Sequence, residues 1–177
     1  MKKYEINPEY KTDFTNFILN IKDYFNSNEH TIHKARNELK IIAHNNIDTV
    51  VKSFKIPNLF NQIIYSFFRD SKAKKSFDYS LKIKEFTPES IAYIEFYRFF
   101  LLKESYFISQ KFDYDFTIRE PLLENNFLDK EDIFKAFARF TLELHNNNIF
   151  HNDYSPGNIL IKKEVDTYIF KIVDINR

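Results

Sequence analysis

The chain lacks several features that would assign it to common classes. Its 177 residues include no cysteine, no tryptophan and a single glycine. Without cysteine it can form neither a disulfide framework nor a thiolate metal site, which fits a reducing compartment. No run of about eighteen uncharged apolar residues occurs, so no transmembrane helix is expected, and the start MKKYEINPEYK lacks the apolar segment of a secretory signal. We therefore predict a cytoplasmic protein, soluble or peripheral on a membrane.

The charged residues balance, with 26 Lys plus Arg against 25 Asp plus Glu. No aromatic and basic platform motif accompanies them, so a nucleic-acid partner is not expected. A zinc hydrolase is also excluded, because the spacing of His145 and His151 does not put both on one helical face and no H-E-x-x-H occurs. The 21 phenylalanines and an apolar fraction of 44% are enough for a sizeable folded core.

Apolar spacing predicts the first elements. An amphipathic helix is expected where apolar residues recur every three or four positions, ended by NSN: Phe14, Phe17, Ile18, Ile21 and Phe25. Alternation on both sides of Asn45-Asn46 predicts a hairpin over 37–55, because asparagine tolerates the positive φ of tight turns. The segment Ile56–Phe68 has one apolar helical face followed by lysines. It predicts either a helix packed on the hairpin or a surface resting on an anionic membrane.

Further elements follow the same rules. A helix is expected over Lys72–Phe86, ended by Thr87-Pro88. Two strands are expected in SIAYIEFYRFFLL and SYFISQKF, with a turn at the charged LKES between them, giving a small antiparallel sheet of about four or five strands. After Pro121, a stripe containing Phe137 and Phe140 predicts a helix with Asp129 as its N-cap. A loop and short strand in FHNDYSPGNILI and a strand in YIFKIVDINR complete the chain.

The single glycine, Gly157, lies in HNDYSPGNIL between two groups suited to phosphoryl transfer. Asp153 and Asn158 are five residues apart, and Asp174 ends the following strand. One carboxylate can accept the proton of an attacking hydroxyl, while the carboxamide and the second carboxylate hold Mg²⁺ on triphosphate oxygens, as in protein-kinase-like folds. Gly157 is expected to supply backbone angles that other residues resist. His151 is expected to support the loop through hydrogen bonds.

The same chemistry requires a lysine on a strand to bind the α- and β-phosphates of ATP. Lys52, at the end of VVK, has the form of the strand motif V-A-I-K, and Lys55 is the fallback. The acid that pairs with this lysine should lie on the next helix, where Asp78 is the first candidate and Glu85 the competitor.

These motifs resemble the lipopolysaccharide core kinases, the Kdo kinase and WaaP-like family of bacterial inner-core sugar kinases. The resemblance covers roughly 36–177 and is most specific in HNDYSPGNILI and FKIVDINR. It implies an α+β, protein-kinase-like fold with two lobes, an N-lobe of antiparallel sheet and helices over 1–112 and a short, mainly helical C-lobe portion over 113–177. It further implies ATP with Mg²⁺, Asp153 as catalytic base, Asn158 and Asp174 as metal ligands, and Lys52 as phosphate-binding lysine. The acceptor would be a glycolipid, the lipid A inner core, at the cytoplasmic face of the inner membrane.

The sequence departs from this pattern in three ways. The region before the hairpin has no glycine-rich loop, so Lys34, Arg36 and Asn37 are expected to replace its phosphate contacts. The loop reads HND where eukaryotic protein kinases carry HRD, which makes their activation-loop switch unexpected. A kinase-like C-lobe normally continues beyond the metal-binding aspartate, so the end at Arg177 fits either a minimal or a truncated lobe. A non-catalytic, pseudokinase-like nucleotide-binding protein and an atypical small protein kinase therefore stay open as alternatives.

Overall fold

The computed structural model describes residues 1–29, 31–34, 37–55, 58–165 and 167–176, without the side chains of 32–34 and 61. The described chain forms two compact units. The first comprises 1–82 and 89–111 together with Asn176, and the second comprises 83–88 and 112–175. The assignment of separate lobes to 1–112 and 113–177 stays a prediction.

The first unit contains an antiparallel sheet with the strand order β1-β5-β6-β4-β3-β2. Its strands are β1 Lys2–Ile6, β2 Thr31–Lys34, β3 Glu38–His44, β4 Ile47–Phe54, β5 Ser90–Arg98 and β6 Leu101–Gln110. The expected sheet of four or five strands is therefore too small, because the two edge strands were missed. The pairing of β1 with β5 aligns Tyr4 with Ile94, and a contact between such distant residues leaves no local pattern in the sequence.

Helices cover both faces of this sheet. They are α1 Lys11–Leu19, α2 Ile21–Ser27, α3 Leu59–Phe67 and α4 Lys72–Lys82. The predicted apolar stripe from Phe14 to Phe25 is buried on one face, in a core that includes Val51 and Ile108. It forms two helices rather than one, since the chain leaves helical geometry at Asn20. On the opposite face, α4 contributes Phe77 to a second apolar cluster.

The hairpins β3–β4 and β5–β6 test the turn predictions. The hairpin over 37–55 is confirmed, with Asn45 and Asn46 at φ 48° and 61° between β3 and β4. The predicted turn at LKES is wrong, because Leu102–Ser105 lie inside β6 and the turn falls at Phe99 and Phe100. Sequence reasoning placed the turn at charged residues, whereas the chain turns at two aromatic ones.

Two helix boundaries differ from the predictions. Within Ile56–Phe68, the helix α3 begins at Leu59, while Ile56 and Pro57 lie outside the described residues. It packs chiefly against β6 rather than on the hairpin β3–β4. The helix predicted to reach Phe86 ends at Lys82, and a 3-10 turn over Lys84–Phe86 follows.

The second unit combines a small sheet with two helices. The strands β7 Phe116–Thr117, β8 Ile159–Lys163 and β9 Tyr168–Ile172 are antiparallel neighbours in that order, and the helices are α5 Arg119–Leu123 and α6 Lys130–Asn146. The predicted stripe of α6 packs on the sheet through Phe140 and Leu144. Asp129 stands at the predicted N-cap position but makes no capping hydrogen bond, because its carboxylate accepts from Lys163 instead. The chain is thus a mixed α+β fold with an antiparallel sheet.

Candidate functional site

His151 joins the predicted catalytic loop to the segment that follows β9. Its Nδ1 lies 3.0 Å from the backbone nitrogen of Asp153, and its Nε2 lies 2.9 Å from the carbonyl oxygen of Val173. Since the amide can only donate and the carbonyl can only accept, the ring is neutral with its proton on Nε2. His151 therefore has the structural role that the sequence predicts, because it ties the loop to the residue before Asp174.

Asn158 closes the loop on itself. Its side-chain Nδ2 donates to the backbone carbonyl oxygen of Asp153 at 3.0 Å, and its backbone carbonyl oxygen accepts from the Val173 amide at 2.9 Å. This bond orients the carboxamide, whose Oδ1 is the atom able to ligate a hard metal ion. The backbones of Asp153 and Val173 are thus joined through Asn158, by its side chain to the first and by its backbone carbonyl to the second.

Asp174 has a left-handed backbone, with φ 63°. Aspartate is one of the few residues other than glycine that adopts this conformation, at a modest energetic cost. Such outliers at the end of a strand are often found at functional sites, where the backbone aims a side chain in a direction that regular structure does not allow. The conformation agrees with the special role that the sequence predicts for Asp174.

Tyr154, next to Asp153, anchors the loop to α6. Its ring stacks on Phe137 with centroids 5.8 Å apart, and its hydroxyl lies 2.9 Å from Oγ1 of Thr141. Burial raises the pKa of the phenol above its ordinary value, against a smaller lowering by the hydrogen bond with Thr141. The stacked ring and the hydroxyl contact together attach the loop to α6.

The expected role of Gly157 is wrong in its physical reason. The glycine does not have a positive φ, so the loop does not need the backbone freedom of glycine there. A Cβ atom at this position would instead lie 2.9 Å from Nη2 of Arg119. The missing side chain leaves room for the guanidinium of Arg119, a residue at the start of α5 that sequence reasoning missed because no motif connects the two positions.

In the first unit, Lys52 occupies β4 as expected, opposite Leu39 on β3 and Phe107 on β6. Its Nζ lies 5.4 Å from the ring centroid of Phe54, on the sheet face that holds Phe77 of α4. The fallback Lys55 lies just beyond the strand, and its amide donates to Oδ1 of Asn37. Of the residues expected to replace the glycine-rich loop, Arg36 and the side chain of Lys34 lie outside the described residues.

Asp78 lies on α4, but the contact that its carboxylate makes is with Lys74. Nζ of Lys74 is 3.0 Å from Asp78 and 3.2 Å from Asp70. Burial by itself lowers the pKa of Lys74, but the hydrogen bonds to the two carboxylates outweigh it and raise the pKa above its ordinary value. Lys74 thus pairs with the carboxylate expected for Lys52, and the pairing of Lys52 with Asp78 stays a prediction. The competitor Glu85 belongs to the second unit, in the 3-10 turn 84–86.

The described residues contain no ready-made metal cluster of charged or imidazole side chains. Among these residues, no group of three or more His, Asp or Glu side chains is placed to hold an ion. A site of the predicted kind does not need one, since it uses one carboxamide, one carboxylate and the oxygens of a phosphate substrate. No helix in the described ranges has both the length and the apolar character to cross a membrane.

Comparison with known proteins supports the fold and leaves the sequence family undecided. No family model matches the sequence, and no curated protein does. A solved structure, "WaaP in complex with acyl carrier protein", resembles this chain with a TM-score of 0.58 and 12% identity, over 99% of this chain and 71% of that one. At such low identity the likeness shows the fold alone, which this chain shares with WaaP. WaaP also gives its name to the family that the loop motifs resemble.

Proposed function

We propose that this chain is an ATP-dependent phosphotransferase that transfers the γ-phosphate to a sugar hydroxyl of the lipopolysaccharide inner core, on Kdo or heptose. The observation that carries the proposal is the hydrogen-bonded assembly around His151. It holds the backbone of Asp153, the carboxamide of Asn158 and the residue before Asp174 in one rigid arrangement. The likeness to WaaP in fold and the resemblance of the motifs support it further.

In this reaction Asp153 is the base. The acceptor oxygen forms a bond to the γ-phosphorus, the bond from that phosphorus to the β,γ-bridging oxygen breaks, ADP leaves, and the hydroxyl proton passes to the carboxylate of Asp153. Lys52 binds the α- and β-phosphates, and Asp78 is its proposed partner. Positioning by these groups contributes most of the catalysis, because phosphoryl transfer needs little covalent help from the protein.

Asn158 and Asp174 are the proposed ligands of Mg²⁺, and their chemistry fits the ion. Magnesium takes hard oxygen ligands and keeps part of its water shell, so one carboxamide oxygen and one carboxylate are an adequate protein contribution. The bond from the side-chain nitrogen of Asn158 to the Asp153 carbonyl fixes the orientation of the carboxamide, and its oxygen is the ligating atom. When bound, the ion neutralises negative charge on the phosphate oxygens.

A second candidate function is a non-catalytic nucleotide-binding protein. The pairing of Asp78 with Lys74 favours it, because the ion pair expected for Lys52 then has a competitor. The lack of a glycine-rich loop favours it as well. Both candidates bind ATP with Mg²⁺, and only the first transfers phosphate.

The first experiment measures stabilisation by ATP with Mg²⁺ in a thermal shift assay. We expect the native chain to gain stability, by about 2.7 kcal/mol at a hundred times the dissociation constant, and Asp174→Asn to lose most of the gain. Asp132→Asn, a change at an exposed acid of α6, serves as the matched control and should keep the gain. If the native chain is not stabilised, both candidate functions are wrong.

The second experiment measures transfer of radiolabelled phosphate to purified lipid A inner core. Transfer by the native chain that is lost in Asp153→Ala, with ATP binding retained, supports the kinase. ATP binding without transfer supports the non-catalytic protein instead.

A further inference from the structure

The turn between β5 and β6 is built from residues that are poorly suited to it. Phe99 and Phe100 are its two central residues, and both have positive φ, 49° and 63°. This is the geometry of a type I′ turn, which favours asparagine and glycine and which bulky residues adopt only with strain. Both rings also project into solvent, so the turn combines backbone strain with exposed apolar surface.

The helix α3 exposes more aromatic rings beside this turn. Ser66 of α3 accepts a hydrogen bond from the amide of Leu102 at 2.9 Å, and Gln62 accepts one from Lys103 at 2.7 Å. These two bonds attach α3 to the first residues of β6, next to Phe100. Five phenylalanines, here called the phenylalanine cluster, are exposed to solvent. Their exposed fractions are 71% for Phe60, 64% for Phe67, 79% for Phe68, 81% for Phe99 and 76% for Phe100.

The orientation of α3 is the reverse of that in an ordinary surface helix. The polar residues Gln62 and Ser66 face the sheet, whereas Phe60, Ile63 and Phe67 share an exposed face. Exposed apolar patches of this kind mark binding sites in soluble proteins. Leaving these rings in water costs free energy, and the cost is recovered only when another apolar phase covers them.

The charges beside the rings determine which phase this is. Exposed arginines directly adjoin the aromatic pairs, in the order Phe67-Phe68-Arg69 and Arg98-Phe99-Phe100, and the guanidinium of Arg98 lies 5.4 Å from the Phe99 ring centroid. Segments 59–69 and 98–103 contain no acidic residue, and the acids that follow them form ion pairs, Asp70 with Lys74 at 3.2 Å and Glu104 with Lys22 at 2.7 Å. Aromatic rings flanked by arginine are typical of protein surfaces at the interface of a bilayer with anionic headgroups.

We propose that the phenylalanine cluster, which belongs to α3 and the β5–β6 turn, inserts into the headgroup region of an anionic lipid bilayer. The rings enter the boundary of the acyl chains while Arg69 and Arg98 contact the lipid phosphates. Insertion removes the exposed apolar surface of the turn from water, which explains why two phenylalanines occupy positions that asparagine and glycine would fill with less strain. The proposal concerns binding to lipid and does not depend on phosphate transfer.

The test is co-sedimentation of the full chain with vesicles of phosphatidylcholine, with and without phosphatidylglycerol. The native chain should bind the anionic vesicles and bind neutral ones more weakly. The double variant Phe99→Asn with Phe100→Gly should bind about tenfold more weakly or worse, because two inserting rings are lost. Its melting temperature should stay the same or rise, since the new pair suits the turn, so lost binding cannot be attributed to misfolding.

Two further variants make the test specific. Phe60→Gln should also weaken binding to the anionic vesicles, because α3 contributes to the same surface. Phe150→Gln removes an equally exposed ring that lies in the second unit, outside the cluster, and should leave binding unchanged.

The proposal is overturned if the native chain does not bind anionic vesicles, or if the turn variant binds as well as the native chain. It is also overturned if light scattering shows a native dimer that the turn variant abolishes while lipid binding is absent. The cluster would then be an interface between two copies. No nucleotide is present in these measurements, so their failure leaves the phosphotransferase proposal to its own tests.

Discussion

Replacing His151 by phenylalanine tests the central observation about the candidate site. The substitution keeps a ring of similar shape but removes both hydrogen bonds, one from the Asp153 amide and one to the Val173 carbonyl. Each hydrogen bond of this kind contributes about 1 kcal/mol to stability, and the two backbone groups left without a partner are only partly buried. The expected loss in the free energy of unfolding is therefore about 2 kcal/mol.

For a chain of this size, a loss of about 2 kcal/mol corresponds to a fall of about 4–8 °C in melting temperature. Calorimetry or circular dichroism measures it directly. His145→Phe is the matched control, because His145 is an exposed residue in the last turn of α6, and it should shift the melting temperature by no more than about 2 °C. Equal melting temperatures for the native chain and His151→Phe would refute the stabilising role of the two His151 hydrogen bonds.

Loss of the two His151 hydrogen bonds should also affect the binding of ATP with Mg²⁺. Because the His151 ring ties the loop to the residue before Asp174, His151→Phe is expected to weaken stabilisation by ATP with Mg²⁺ in the thermal shift assay described above. If the variant is less stable yet responds fully to nucleotide, His151 supports the fold of the second unit and not the site.

Three further predictions follow from individual contacts. Gly157→Ala should lower the free energy of unfolding by less than about 1 kcal/mol, because its backbone tolerates alanine and only the end of Arg119 must move. Urea unfolding should show no such loss when Arg119→Ala is also present, and an undiminished loss there would contradict the contact. Lys40→Met should cost about 2–4 kcal/mol, because buried Lys40 donates to the carbonyls of Phe25 and Asn28 at 2.8 Å each; Lys135→Met, at an exposed lysine, is the control, and similar unfolding midpoints for the two would disprove the role. Burial, followed by the hydrogen bond with Glu89, raises the pKa of Tyr10 to about 12. The folded state therefore keeps the phenol proton at a pH where the unfolded state loses it, and the free energy of unfolding should decline as pH rises from about 10 to 12. The decline should be smaller in Tyr10→Phe, and identical pH profiles would argue against the shift.

Local patterns predicted those elements whose structure depends on near neighbours in the chain. The hairpin over 37–55 follows from alternating residues around Asn45-Asn46, and α6 follows from an apolar stripe of helical period. The support role of His151 also follows from its place in the loop, since its partner Asp153 is two residues away. These contacts join residues close in the chain, so periodicity and turn chemistry contain the information, whereas the second partner of His151, Val173, lies 22 residues away.

Other predictions failed because distant contacts outweighed local preference. The turn at LKES was placed on charged residues, but pairing of β5 with β6 put it at Phe99-Phe100. Asp129 was expected to cap α6, but Lys163, 34 residues away, takes its carboxylate. The expected pairing of Asp78 with Lys52 stays a prediction, and the Asp78 carboxylate makes a local contact with Lys74, four residues earlier on α4, at 3.0 Å. A side chain with several possible partners takes one according to geometry that a linear pattern does not record.

The amino-acid sequence by itself determined which residue types stand in the loop and on the strand ends, and their order already indicated phosphoryl transfer by Asp153, Asn158 and Asp174. The tertiary structure decided how these residues are held, through the bond from His151 to Val173, 22 residues away. It also decided that Gly157 provides space for Arg119, and that α3 and the β5–β6 turn expose their aromatic rings side by side. The physical reason is the same throughout: residue chemistry is a property of each position, whereas space, exposure and pairing depend on segments that meet only when the chain has folded.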